Sequence, residues 1–256
     1  MLDYAAFPQQ RQALICQILQ ENGRVVCAEL AARLQVSEHT IRRDLHELSR
    51  EGFCKKVYGG AVLSLPEAGD YSERKDKNRA TKLRIAQQCA RLVKPGGTIF
   101  VDTGTTNLAM AEALPAELAL TVVTNSPEIA AVLVKKPLYD VVILGGQVQR
   151  ASGGCVGAAA VAQVQGMLFD QGFIGGCAMA PESGLTGFDY ADCEFKKAVI
   201  KQCSEIIIGL TSDKIPAVAR FVVAVSSDID VLVVEENISR EYRVAFQQHD
   251  IRIHTV

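Results

Sequence analysis

Three short apolar runs in the middle of the chain, Thr98–Val101, Leu120–Val123 and Val141–Leu144, end 22 and 21 residues apart, with helical patterning between them. Unalternating aliphatic runs of this length read as strands buried on both faces, and strands that alternate with helices pair in parallel through crossovers. The spacing therefore predicts an α/β domain built on a mainly parallel sheet. Each run delivers small polar residues or glycine at its carboxyl end: Asp102, Thr103, Gly104, Thr105 and Thr106; then Thr124, Asn125 and Ser126; then Gly145 and Gly146. Ligands of open parallel sheets bind at that edge, where helix N-termini favour anions such as phosphate. Taken singly, each end reads more readily as a helix cap or a turn; three in succession point to a site. No Walker motif and no G-x-G-x-x-G occurs, which disfavours the usual modes of nucleotide binding.

The α/β pattern begins only at residue 79. A helical stretch runs from Arg79 to Val93 and stops at Pro95-Gly96-Gly97. Further strands are expected over Gln171–Gly176, Glu205–Gly209 and Val231–Val234. Helices are expected over Asp189–Cys203, with Phe195, Val199 and Ile200 inward, and over Ser239–Gln248. Residues 65–78 are polar and charge-mixed, with Pro66 and Gly69 as breakers, and read as a linker. At 256 residues the chain has room for a separate small domain before it, over residues 1–64.

That first segment has its own pattern. Leu14, Ile15, Ile18 and Leu19 recur at helical spacing before an Asn22-Gly23 stop. A second helix is expected over Cys27–Leu34, then a tight turn at Gln35-Val36, with Ser37 as N-cap of a third helix over Glu38–Arg50. On a helical wheel Leu45 and Leu48 fall within about 40° of Ile41, while His39, Arg43, His46 and Arg50 cluster opposite. Arg42 and Glu47 flank the polar face. Asp44 lies nearer the apolar edge, where it can hold an arginine of the same domain.

Wheel geometry alone leaves a solvated surface helix as good a reading as a DNA-reading one. The sequence that follows decides between them. Phe53–Tyr58 and Ala61–Leu63 form two short strands about a Gly59-Gly60 turn, a basic hairpin placed directly after the helix. Helix and hairpin together describe a winged helix-turn-helix. Ser37, His39, Thr40, Arg42, Arg43, His46 and Arg50 are then candidates to meet bases and phosphates of double-stranded operator DNA, and Lys55, Lys56 and Tyr58 of the wing to contact phosphates.

Val-Ser-Glu-His-Thr-Ile-Arg-Arg-Asp-Leu at residues 36–45, followed by Tyr-Gly-Gly-Ala at 58–61, resembles the signature of the DeoR family of bacterial regulators. Gln35, where the family often has Gly, and Val26, where it has a polar cap, depart from the pattern; a left-handed Gln35 costs roughly 1 kcal/mol. The order of elements after residue 79 resembles the family's sugar-phosphate sensor domain, whose fold is similar to ribose-5-phosphate isomerase. The resemblance implies that Asp102–Thr106 and Thr124–Ser126 line an effector pocket. It also implies that Thr211 to Lys214 stand where the family has Asp-Ser-Ser-Lys, keeping Lys214, and that Glu235 replaces an aspartate. Residues near Gly187–Tyr190 and Glu194–Lys196 align loosely with it.

The function expected is a repressor of a carbohydrate-utilisation operon, a homo-oligomer (dimer or tetramer) controlled by a phosphorylated sugar. On this reading the phosphate meets Gly104–Thr106, Thr124–Ser126 and Lys214, and Asp102 accepts from a sugar hydroxyl. Two alternatives stay open: a sugar-phosphate isomerase or deaminase fused to a DNA-binding domain, and a second domain that only assembles subunits. Against catalysis, the four histidines are His39, His46, His249 and His254, none at a strand end of the sheet. The net charge of −2 neither supports nor excludes DNA binding, because a small basic module is masked by an acidic remainder. Eight cysteines without a C-x-x-C read as buried thiols, so no disulfide framework, metal or cofactor is expected. The opening residues, with Asp3, Pro8 and Arg11, show no signal peptide or anchor and no apolar run is long enough to span a bilayer, which makes a cytoplasmic protein the expectation.

Overall fold

The computed structural model describes residues 7–64 and 69–256. Pro66 and Asp3 lie outside the described residues. The first domain contains α1 (Pro8–Asn22), β1 (Arg24–Val26), α2 (Cys27–Leu34), α3 (Glu38–Arg50), β2 (Cys54–Val57) and β3 (Gly60–Leu63). Ile15, Leu19, Leu30, Leu34, Ile41, Leu45 and Leu48 form its core, each such side chain contributing about 1.5 to 3 kcal/mol on burial. Ser37 Oγ accepts the Thr40 N–H at 3.1 Å and starts α3, and Gln35 ends α2 in the left-handed region at φ 53°.

Two features go beyond the expected hairpin. Arg24–Val26 form a third strand, so the antiparallel sheet has the order β1-β3-β2. The close crossing explains Gly60, since a Cβ there would lie 1.9 Å from Val25 O. Val26 supplies no side-chain cap to α2; the wing does so instead, with Gly59 O accepting the Cys27 N–H at 2.7 Å.

The remainder runs α4 (Tyr71–Asp76), α5 (Arg79–Arg91), β4 (Thr98–Val101), α6 (Thr105–Ala113), β5 (Leu120–Thr124), α7 (Pro127–Leu133), β6 (Tyr139–Ile143), β7 (Gln147–Val148), β8 (Cys155–Val156) and α8 (Ala158–Val164). It continues with β9 (Gln171–Ile174), β10 (Ala178–Ala180), β11 (Gly184–Gly187), α9 (Tyr190–Ile200), β12 (Ile206–Gly209), β13 (Phe221–Ala224), β14 (Val231–Val234), α10 (Arg240–Gln247) and β15 (Arg252–Thr255). Seven strands form one parallel sheet in the order β15-β14-β12-β9-β4-β5-β6. Residues from α5, α6 and α7, such as Ile85, Met110 and Ile129, cover one face against Ile99, Val122 and Ile207. Residues from α8, α9 and α10, such as Val164, Phe195 and Phe246, cover the other against Phe100, Ile174 and Leu232. Two covered faces are what unalternating strands require. Strands β10, β11 and β13 form a small antiparallel sheet.

The two parts are docked. Val218 donates its N–H to Leu63 O at 3.1 Å, Tyr242 donates its hydroxyl to Asn22 O at 3.0 Å, and Arg24 pairs with Glu182 at 3.1 Å and with Glu241. Val62, Ala180 and Val218 bury one another at the seam. The segment expected as a linker is not featureless: Tyr71–Asp76 is helical. No helix among the described residues is long and apolar enough to cross a membrane.

Candidate functional site

Two surfaces carry chemistry. On α3, His39, Arg42, Arg43, His46 and Arg50 are exposed, as is Ser37 at its start, while Thr40 is half-buried. Arg42 and Arg43 pair with Glu38 (2.8 Å) and Glu47 (3.4 Å) one turn away. Exposed pairs of this kind are weak, so they yield readily to a phosphate. Asp44 is withdrawn from this face, buried against Arg11 of α1. On the wing, Lys56 and Tyr58 are exposed and Lys55 is half-buried.

The second surface is a cavity of about 190 Å³ at the carboxyl edge of the parallel sheet. Its floor is the start of α6, Gly104 to Asn107, with Gly175 to Cys177 beside it. Gly104 is N-cap at φ 148°, and no side chain caps the helix. The first backbone N–H groups of a helix have no partner within it and carry its positive dipole end, so they accept an anion. Gln149, Ala151 and Ser152 form one wall, Phe188, Asp189, Asp192 and Lys196 another, and Lys214 and Arg74 reach in from the sides.

The α9 wall carries a buried charge cluster, with Asp102 behind it. Lys196 Nζ stands 2.6 Å from Asp192 Oδ1 and 3.0 Å from Asp102 Oδ2. Burial opposes its charge, yet the carboxylates of Asp102 and Asp192 hold the ammonium above its usual range. Burial pushes the Asp102 carboxyl up, and the neighbouring charge of Asp192 adds to this. Lys214 donates to Gly176 O at 3.0 Å, and burial lowers its pKa. Asn107, in the first turn of α6, donates to Asp102 O (2.9 Å) and Phe173 O (3.0 Å), tying the ends of β4 and β9 together beneath the cavity.

A model of the DeoR C-terminal sensor domain matches residues 77–236, and one of the DeoR-like helix-turn-helix domain matches residues 11–66. The chain belongs to the DeoR family of transcriptional regulators. The HTH-type transcriptional regulator GolR of Listeria innocua is 31% identical over 94% of this chain and 96% of its own. The glycerol-3-phosphate regulon repressor of Escherichia coli is 31% identical over 80% of this chain and 82% of its own. Among solved structures, ribose 5-phosphate isomerase A from Methanocaldococcus jannaschii aligns over 56% of each chain at 19% identity and a TM-score of 0.41. This DeoR-family chain is thus a regulator with a DNA-binding domain, as its named relatives are, and not an enzyme.

Within this DeoR-family sensor domain the residues expected at the pocket divide. Thr103, Gly104, Thr105, Thr106 and Lys214 line the cavity. Asp102, expected to face a sugar hydroxyl, is fully buried behind the wall, because Oδ2 accepts the Gly175 N–H at 2.8 Å and pairs with Lys196. Thr124, Asn125 and Ser126 are fully buried and do not line the cavity. Asn125 is a strut: its Oδ1 accepts the Thr103 N–H at 2.9 Å and its Nδ2 donates to Cys155 O at 3.2 Å. Ser126 caps α7, and Thr124 Oγ1 accepts the Ser126 N–H. Gly145 is clamped by the side chain of Gln163 on α8, and neither it nor Gly146 reaches the cavity. Glu235 accepts the Ser212 N–H at 2.5 Å and so anchors the turn that presents Lys214.

Sequence reasoning missed Arg74, Asn107, Gln149 and Asp192, and touched Asp189 and Lys196 only loosely. Gly175 and Gly176 close the strand expected over Gln171–Gly176, which ends at Ile174 in the structure, so the strand-end rule applied to the first three would have found them and Cys177. All eight cysteines are free, and no cluster suited to a metal occurs among the described residues.

Proposed function

We propose that this DeoR-family protein is a repressor of a carbohydrate-utilisation operon that binds operator DNA as a homo-oligomer and is released by a phosphorylated sugar held in the cavity. The observation that carries this is the uncapped α6 N-terminus, with Gly104, Thr105 and Thr106 facing the same space as Lys214. Backbone N–H groups and threonine hydroxyls donate to phosphate oxygens, and Lys214 supplies charge. Asp189 and Asp192, not Asp102, offer acceptors for the hydroxyl end. One relative supports a phosphorylated polyol by name, the glycerol-3-phosphate regulon repressor of Escherichia coli, and the putative aga operon transcriptional repressor of Escherichia coli O157:H7 supports repression of an operon.

On the DNA side, α3 enters the major groove with Arg43, His39 and His46 toward base edges, and the wing's Lys55, Lys56 and Tyr58 contact phosphates. A dimer or tetramer offers two such helices to two half-sites. A thermal-shift panel of sugar phosphates tests the effector reading, since a ligand of the native state raises the melting temperature with the logarithm of its concentration over its dissociation constant. A phosphorylated sugar that stabilises the protein while its unphosphorylated parent does not is the expected result; equal effects from both would remove the phosphate from the account.

A further inference from the structure

Three cations converge beside the cavity, and none of them is ion-paired with a carboxylate among the described residues. Arg74 and Lys214 line it. Among the described residues the guanidinium of Arg74 donates to the carbonyls of Gly69 (3.2 Å) and Ala151 (2.5 Å) and lies 5.8 Å from the centre of the Tyr71 ring. Lys214 donates to Gly176 O. Lys82 on α5 is 6% exposed and donates to the carbonyl of Arg74. Burial, then the charges of Lys214 and Arg74, bring Lys82 down to about 8. The nearby Asp213 is exposed and lies 3.8 Å from Lys77. The contrast is Lys196, equally buried but held by two carboxylates. A cation as buried as Lys82 calls for a counter-charge; the exposed Asp213 partly offsets the charges of Lys82 and Lys214, but no carboxylate among the described residues is ion-paired with either.

The cluster also bridges to the DNA-binding domain by two short routes. Arg74 belongs to α4, on the segment that joins the two domains, and α4 rests on the 149–154 loop through Arg74 to Ala151 and through the Tyr71 ring on Gly153. Lys214 stands two residues before Pro216, which packs on Gly23 at the end of α1, and four before Val218, whose N–H bonds Leu63 O of β3.

The geometry points to α4 as a latch closed by the effector: Arg74 and Lys214 take the anionic group, with Lys82 behind them holding the Arg74 carbonyl, and so fasten the connecting segment to the sensor body. This rests on the reading of the cavity as a phosphate site and adds the element through which occupancy reaches the DNA-binding domain. An anion placed among these cations relieves their mutual repulsion and pairs with the fork of Arg74. Fixing α4 holds the sensor-side end of the connection to β3, and drawing in Lys214 shifts the turn that bears on Gly23. A switch of this kind works only through the difference in affinity between the two arrangements.

The test uses the full-length protein and inorganic phosphate, the fragment shared by every ligand of the class. Melting temperature and amide exchange over residues 69–78 are read, free and saturated, in wild type, Arg74→Gln, Arg74→Lys and Thr105→Val. Phosphate should stabilise the wild type and slow exchange across α4. Arg74→Gln should bind about tenfold more weakly, the loss of one charge-assisted hydrogen bond, and show no slowing of α4 even when saturated. Arg74→Lys should recover part of the affinity. Thr105→Val should bind weakly yet still slow α4 once saturated. If phosphate stabilises Arg74→Gln as well as wild type, or leaves α4 exchange unchanged in wild type while Thr105→Val weakens binding, the latch is overturned and the cavity reading survives. If saturating phosphate stabilises no form, both are overturned.

Discussion

Asp44 of α3 grips Arg11 of α1 through two hydrogen bonds, 2.5 Å to Nε and 3.0 Å to Nη2, with both side chains out of solvent. The pair fixes the angle at which α3 is presented, and Gln12 extends it by donating to Asp44 and, at 2.6 Å, to Glu47. Deleting one partner of a buried ion pair costs about 3 kcal/mol or more, whereas replacing both with apolar residues of similar volume is close to neutral. Asp44→Ala should therefore lower the urea midpoint of the DNA-binding domain and weaken operator binding. An Arg11→Met, Asp44→Leu double variant should recover most of the stability. A double variant no more stable than Asp44→Ala would show that the pair is not what positions the helix.

On the proposed reading of α3 and the wing, Arg43 and Lys56 separate two kinds of DNA contact. Arg43 sits on the exposed face of α3 and Lys56 on the wing. Arg43→Ala should relax sequence preference, costing about 1 to 3 kcal/mol of discrimination at one base position. Lys56→Ala should weaken all sequences alike and reduce the slope of log affinity against log salt by about one. Anisotropy titrations on operator and scrambled DNA at several salt concentrations read both effects. Equal, sequence-blind losses from the two variants would mean that α3 does not enter the major groove.

What could be read in advance follows from how each element is buried. Strands covered on both faces leave unbroken aliphatic runs, so β4, β5, β12 and β14 announced themselves. The edge strand β15, with Arg252 and His254 alternating with Ile253, carries no such run and was missed. So was β1, whose three residues owe their strand conformation to pairing with Gly60 and its neighbours. At the site, Gly104 to Thr106 were legible because small hydroxyl residues at a strand end suit an anion. Asn125 has the same chemistry but spends it inward on Thr103 and Cys155, and only the third dimension separates the two cases. Lys196 and Asp192 lie four residues apart on an amphipathic helix, a spacing common on solvated faces. Arg74 sits in a segment whose composition resembles any polar connector.

Glu205 is the sheet's acid-sensitive clamp. It meets Lys94 at 2.8 Å, Gln171 at 2.8 Å and Arg252 at 2.5 Å, joining β9 and β15 at the start of β12. Burial alone would raise its pKa, but hydrogen bonds from Lys94, Arg252 and Gln171 pull it down to about 2 from an ordinary 4.5. A depressed carboxylate contributes stability that is complete above its unfolded pKa and is lost as pH falls through the folded value. With solvent screening included, the contribution is about 1 to 2 kcal/mol at neutral pH. Glu205→Gln should be less stable than wild type by that amount near neutrality, and the gap should narrow between the ordinary value of 4.5 and about 2. Denaturation midpoints across that range check it; a gap independent of pH would assign the loss to shape rather than charge.

The proposed phosphate site at the start of α6 is tested most directly by Thr105→Val. The side chain is half-buried, lines the cavity, and keeps its shape on substitution while losing its hydroxyl. One donor removed from a bound phosphate costs about 1 to 3 kcal/mol. The measurement is release of labelled operator from wild type and Thr105→Val as the sugar phosphate found by thermal shift is titrated in. Operator affinity without effector should be the same for both, and the variant should need about tenfold or more effector for half-release. Half-release of both proteins at the same concentration would contradict the account and place the effector elsewhere.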